Sequence, residues 1–215
     1  MVVSDAVFSM DGDVAPVDEL ATLCAAHDAV LVLDEAHAVL GPPPPVGDCD
    51  VVVVGTLSKT LGALGGFVAG SRDVVDLCTN VSRSFIFTTA GSPVDAPAAL
   101  AAVGIGTGPE GAELRARLRG HVDVVRPGHP SPVVPVVLGS EAAALEASDR
   151  LLAAGLLVPA IRPPTVPDGT CRLRIALSAA HDPDDVQRLA HALADLSDPV
   201  PGPTGPGPRT PARNG

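Results

Sequence analysis

The chain has 215 residues, 14 Lys and Arg against 25 Asp and Glu, a formal net charge of −11 and 46% hydrophobic residues. That length suffices for one good-sized domain, or one domain with a small second one, and the positive mean hydropathy excludes a disordered composition over most of the chain. With four Phe and neither Trp nor Tyr, the core must be built mainly of Ala, Val and Leu. The lack of aromatics argues against stacking of single-stranded nucleic acid, and the acidic balance argues against a basic phosphate-tracking surface.

In chain order, Val2 to Phe8 reads as a short apolar strand. Pro16 followed by Asp18 and Glu19 starts a helix running to about His27, since proline suits the first turn and acidic side chains suit its positive end. Ala29 to Leu33 is a continuous apolar run ending in Asp34, the pattern of a parallel strand buried on both faces. After a Pro-rich loop, Asp50 to Gly55 repeats that pattern and leads into Thr56-Leu57-Ser58-Lys59. Gly65 to Gly70 is read as a strand, Ser71 as the cap of a helix over 72–81, and Phe85-Ile86-Phe87 as a strand before Thr88 and Thr89. Strands alternating with helices predict an α/β layer architecture.

The character changes after about Gly104. A charged helical segment over 110–119 precedes an apolar strand over 133–138 and a helix over 140–154. Strands over 157–161 and 171–177 follow, the second with Arg172 and Arg174 alternating with Leu173 and Ile175, and then a final helix over 182–196. This predicts a small α+β domain over 105–197 behind an α/β domain over 1–104. From Asp198 onward six prolines and four glycines in 18 residues predict a disordered tail over 198–215, because such a composition buries no core.

Cys24, Cys49, Cys78 and Cys171 are scattered, with no Cys-x-x-Cys pair and no histidine at metal-ligand spacing. Four reduced structural thiols and no metal are expected. No charged segment followed by a long apolar stretch opens the chain, and no run approaches the roughly 18 apolar residues of a membrane helix. A cytoplasmic protein is expected.

There are 13 arginines but one lysine, Lys59. A coding bias towards Arg, Ala, Gly and Pro accounts for most of that imbalance. It does not replace an amine that must lose a proton and attack a carbonyl, because guanidinium stays protonated. In open parallel sheets, ligands bind beyond the carboxyl ends of the strands. Two such ends carry polar residues here, Asp34-Glu35-Ala36-His37 and Thr56-Leu57-Ser58-Lys59. A carboxylate at the end of a buried strand is costly unless a cation or donor meets it. Glycines at Gly62, Gly65 and Gly66 allow close backbone approach, and the hydroxyls of Thr56, Ser58, Thr88 and Thr89 suit an anion. An amine, a carboxylate and phosphate donors are what pyridoxal phosphate requires. A phosphate site with a neutralising lysine would show similar features.

The runs Asp5 to Asp13 with Ala15-Pro16, Leu33-Asp34-Glu35-Ala36-His37, Gly55 to Gly62, Phe85 to Ala90, and Ala160 to Arg174 ending in Ser178-Ala179-Ala180-His181 together resemble the α-oxoamine synthases. The resemblance runs in order from residue 2 to about 196 and is nearest the biotin-synthesis branch. It implies part of the large domain of a fold-type I pyridoxal-phosphate enzyme, a mostly parallel sheet with flanking helices, followed by the small α+β domain. It also implies a cytoplasmic homodimer that condenses an amino acid with an acyl thioester and releases carbon dioxide. For the biotin branch these are L-alanine and a pimeloyl thioester, on coenzyme A or a carrier protein; glycine with a short acyl donor is the rival.

Carried over by position, the resemblance makes Lys59 the Schiff-base lysine and proton-transfer group. Asp34 becomes the partner of the pyridine nitrogen, and Ser9 and His37 neighbours of the ring, with His37 near the phenolic oxygen. Thr56 falls at the phosphate side, and Thr88 or Thr89 reaches the phosphate of the neighbouring subunit. Arg174 takes the substrate carboxylate, a role suited to a two-pronged donor, with Thr165 and Arg162 beside it. The family has further strands, a glycine-containing phosphate loop and a ring-stacking residue upstream of the matching segment. That predicts a chain starting in the middle of the large domain, with a strand over 2–8 whose edge is open, so that either a second polypeptide supplies the rest or the fold is badly weakened. A non-catalytic relative serving as a partner subunit and an unrelated acidic phosphate-binding module are the alternatives. The second does not explain the C-terminal arginine motif.

Overall fold

In the computed structural model, which describes residues 1–41 and 47–196, the aliphatic runs of the N-terminal part form strands β1 (Val2–Asp5), β2 (Leu31–Asp34), β3 (Val51–Thr56) and β4 (Gly66–Ala69). They make one sheet in the order β1-β2-β3-β4. The first three strands run parallel, with Asp5 level with Asp34 and Asp34 level with Val54, and β4 returns antiparallel to β3. Leu31 and Leu33 of β2 are wholly buried, as expected of a central parallel strand. Helix α1 (Val17–Ala26) carries Asp18 and Glu19 in its first turn. It lays Ala21 and Cys24 against Leu31 and Cys49. The α/β class and the mostly parallel sheet expected from the sequence are found.

Beyond β4 the chain is helical: α2 (Arg72–Val81), α3 (Arg83–Ile86), α4 (Asp95–Thr107) and α5 (Pro109–Val125). Ser71 caps α2 by accepting from the Val74 amide at 3.4 Å. The strand expected over Phe85-Ile86-Phe87 is instead the end of α3. Ile86 and Phe87 donate to the carbonyls of Ser82 and Arg83 at 2.9 and 3.0 Å, and the Arg83 guanidinium lies 5.1 Å from the Phe87 ring centre. Local helical bonding wins there because, among the described residues, no strand lies alongside to reward an extended backbone. Helix α4 was not expected, since its apolar residues Ala98 to Gly104 lack the polar stripe that marks a helix face. Helix α5 is longer than the charged segment suggested.

Met1–Arg119 and the residues from Gly120 on form two compact units, with the division inside α5. The second unit holds β5 (Val133–Gly139), α6 (Glu141–Ala153), β6 (Ala160–Ile161), β7 (Cys171–Ala176) and α7 (Pro183–Ala194). Its antiparallel sheet has the order β5-β7-β6, and α6 packs on all three strands. Only the last two residues of the strand expected over 157–161 pair. Alternation along β7 puts Leu173 and Ile175 on one face and Arg172 and Arg174 on the other, but burial does not alternate with it: Arg172 is buried too, its Nε donating to the Thr170 carbonyl at 3.0 Å. Ser140 caps α6 and Asp182 caps α7 by accepting the amides of Ala143 and Asp184 at 3.2 and 2.8 Å. Among the described residues no helix is long and apolar enough to cross a membrane. The Pro-rich loop over 42–45, apart from its flanks, and the tail from Asp198 lie outside the described residues.

Leu173 lies at the centre of the second unit's sheet with no exposed surface. Leu173→Ala is expected to lower the stability of that unit by about 2–5 kcal/mol, read from urea unfolding followed by circular dichroism. A change below 1 kcal/mol would contradict a tightly packed β5-β7-β6 core.

Candidate active site

The carboxyl ends of β1, β2 and β3 fall at one edge of the first sheet because the strands pair in register. The turn after β1 carries Ser9, half-buried, beside an open pocket of about 260 Å³ lined by Phe8, Ser9, Met10, Asp11 and Asp13. Backbone bonds from Phe8 to Asp13 and from Gly12 to Phe8, both 2.9 Å, hold this turn. β2 ends in Asp34, half-buried, whose Oδ1 accepts the Ala36 amide at 2.8 Å. That bond turns the chain towards His37, also half-buried, and leaves the outer part of the carboxylate for another donor. Glu35 continues the sheet by donating its amide to Val54 at 2.8 Å.

β3 ends in Thr56, and the loop after it carries Ser58 and Lys59. The Thr56 and Ser58 hydroxyl oxygens are 2.7 Å apart, and Thr56 Oγ1 also accepts the Ser58 amide at 3.2 Å. Leu57 and Gly65 close the loop through a 3.0 Å backbone bond. Gly65 has φ +128°, which a side chain would strain. Gly55, inside β3, leaves room for the Phe67 ring, which lies 2.3 Å from where a Cβ would stand. From the far side, Asp95 at the start of α4 accepts the Leu64 amide at 3.0 Å. Asp95 thus positions the lysine loop; the sequence reading missed it because a lone Asp at a helix start carries no signal of a partner 31 residues back. Lys59 itself is exposed and, among the described residues, makes no ion pair.

Thr88 and Thr89 are exposed just after α3. In the second unit, Arg174 is half-buried in mid-β7, opposite Pro135 of β5, and its amide donates to the Pro159 carbonyl at 3.0 Å. Thr165 is exposed and donates its amide to the Arg162 carbonyl at 3.0 Å. Arg162 is ion-paired with Glu141 of α6. Sheet register thus brings Ser9, Asp34, Thr56 and Lys59 to one edge, whereas Arg162, Thr165 and Arg174 gather around β6 and β7 of the other unit.

The chain matches the family described as Aminotransferase class I and II over residues 1–193 and belongs to it. Among curated relatives it is 48% identical to an 8-amino-7-oxononanoate synthase of Anaeromyxobacter dehalogenans, over an alignment covering 99% of this chain and 57% of that protein. It is likewise 48% identical to a putative 8-amino-7-oxononanoate synthase of Caulobacter vibrioides, covering 91% and 54%. The chain therefore spans about half the length of these relatives. Among solved structures, a serine palmitoyltransferase from S. paucimobilis, solved with bound PLP and myriocin, superimposes with a TM-score of 0.81 at 30% identity, covering 89% of this chain and 53% of that one.

One group at the edge is set against its charge. Burial pushes the Glu35 carboxyl above its ordinary range. A carboxyl raised in the folded state contributes stability below its unfolded pKa and loses it as pH rises through the folded value. Glu35→Gln is therefore expected to gain stability relative to the parent between about pH 4 and about pH 7, read as urea midpoints at the two pH values. An unchanged difference would contradict the burial penalty.

Proposed function

We propose that this chain belongs to a pyridoxal-phosphate-dependent acyltransferase of the α-oxoamine synthase type. The proposed reaction is decarboxylative condensation of L-alanine with a pimeloyl thioester, on coenzyme A or a carrier protein, giving 8-amino-7-oxononanoate for biotin synthesis in the cytoplasm. The observation that carries this reading is the pairing of Asp34, at the end of β2, with the chain's sole lysine, just past the end of β3, on one edge of a parallel sheet. Similarity to named 8-amino-7-oxononanoate synthases over nearly the whole chain supports it.

The residues fit the cofactor. Asp34 has one carboxylate oxygen held by Ala36, so a protonated ring nitrogen can meet the rest of the group. The Thr56 and Ser58 hydroxyls suit the phosphate side, with Thr88 or Thr89 reaching the phosphate of a neighbouring subunit. His37 and Ser9 would border the ring, and the Lys59 amine would hold the cofactor. When bound, pyridoxal phosphate supplies an electron sink for charge that develops at the amino acid's α-carbon. Asp34 keeps a proton on the ring nitrogen by opposing its charge. The Lys59 amine takes the α-proton and returns it, a task for which arginine is unsuited. Arg174 offers two parallel donors to the substrate carboxylate, with Thr165 beside it and Arg162 braced by Glu141.

Assembly is part of the reading. Among the described residues β1 pairs only with β2, Val3 is 68% exposed on it, and Leu77, Val81, Phe85, Phe87, Val94 and Leu100 are exposed as well. A second polypeptide alongside β1 and a second copy of the chain would cover such surface, which is costly to leave in water. The partner-subunit reading draws on the same surfaces but gives Lys59 no task.

Lys59→Arg is expected to abolish formation of the amino ketone from alanine and pimeloyl-coenzyme A by the assembled protein. Arg174→Lys is expected to raise KM for the amino acid by about tenfold while lowering kcat less. Undiminished turnover in Lys59→Arg would refute the assignment. Faster turnover with glycine and a short acyl donor would move it to the rival substrates.

A further inference from the structure

Cys24 and Cys49 are 25 positions apart in the sequence, yet both lie in the one buried cluster formed with Ala21 and Leu31. Cys24 projects from the last turn of α1 at 1% exposure, and Cys49 stands two residues before β3 at 8%. Ala29 sits between them: its amide donates to the Cys24 carbonyl at 2.9 Å, and its carbonyl is 4.0 Å from the Cys49 sulfur. Cys49 Sγ also donates to the Asp50 carbonyl at 3.5 Å, and the Cys24 thiol lies near enough to help push the Cys49 thiol up from its ordinary range. All four cysteines are free. Neither thiol of this pair has a task in the site at the carboxyl edge.

We propose that Cys24 and Cys49 are a disulfide-forming pair, oxidised by a low-molecular-weight disulfide of the glutathione type, that staples α1 to the entry of β3. Cys49 is the entry point, because exposed Asp48 and Asp50 flank it whereas Cys24 lies on the inner face of the helix. The Cys49 thiolate attacks one sulfur of the small disulfide, giving a mixed disulfide and one released thiol. Cys24, deprotonated, then attacks Cys49 Sγ and expels the second small thiol. The two cysteines lose two electrons in total, the small disulfide gains them, and the protons from the cysteines end on the two released thiols. Burial and the neighbouring Cys24 push the Cys49 thiol up from its ordinary range, so the attacking thiolate is scarce near neutrality and exchange is slow. The closed loop would contain all of β2, and cross-linking it restricts the unfolded chain.

The test uses the full chain and its Cys78→Ala/Cys171→Ala double variant, which retains only the pair. Each is incubated with oxidised glutathione, blocked with an alkylating agent, digested and weighed. Trypsin releases Met1–Lys59 intact, since no arginine precedes Lys59, and cleavage at Glu35 then separates the two cysteines. The expected result is a peptide two hydrogens lighter with no alkyl groups, split only after reduction, and an unfolding midpoint several degrees higher for the oxidised protein. In Cys24→Ala, glutathione is expected to remain attached at Cys49. Full alkylation of both cysteines after prolonged oxidation, or a disulfide that joins either of them to Cys78 or Cys171 instead, would overturn the proposal.

Discussion

The register of the three parallel strands is the constraint on which the rest of the first unit depends. Val2 is level with Leu31 and Leu31 with Val51, so the strands end together and their following turns open at one edge. A slip of one residue would turn Leu31 and Leu33 from their buried positions and move Asp34 to the other face. The same register sets the other edge: it brings Cys49, entering β3, against the end of α1, where Cys24 lies. The polar edge and the thiol pair are thus opposite ends of one sheet, and both follow from the burial of a few valines and leucines.

Chemistry at the polar edge depends on how little of each side chain is already spent. Asp34 gives one oxygen to its own turn, and Thr56 shares its hydroxyl with Ser58. Asp95, by contrast, is committed to the Leu64 amide and serves to hold the lysine loop. Glu35 follows Asp34 in the chain, and burial pushes its carboxyl above the ordinary carboxylate range. The second unit keeps its guanidinium groups on one face of β7 because Leu173 and Ile175 claim the other.

Much of this was legible in the sequence because aliphatic runs ending in polar residues mark where parallel strands stop. Asp34, Thr56 and Lys59 stand out that way, and the serine cap before α2 follows from position alone, whereas Ser140 reads as the first residue of a helix and proves to be its cap. Phe85-Ile86-Phe87 misled because three apolar residues suggest a strand only if a neighbour is there to pair. Helix α4 went unseen because an alanine-rich segment with only Ala99 buried shows no face. The Cys24–Cys49 approach and the Asp95–Leu64 bond are long-range, and spacing along the chain carries no trace of them. The family motifs supplied the roles of Arg174 and Thr165, which strand alternation alone does not assign.

The central claim is that Lys59 is the amine that holds pyridoxal phosphate. Incubation of the purified protein with pyridoxal phosphate, reduction with borohydride and peptide mapping tests it directly, because Lys59 is the only side-chain amine in the chain. The account predicts a phosphopyridoxyl group on Lys59, with the label lost in Asp34→Ala or Lys59→Arg. Labelling confined to the N-terminal amine, or no labelling, would contradict it.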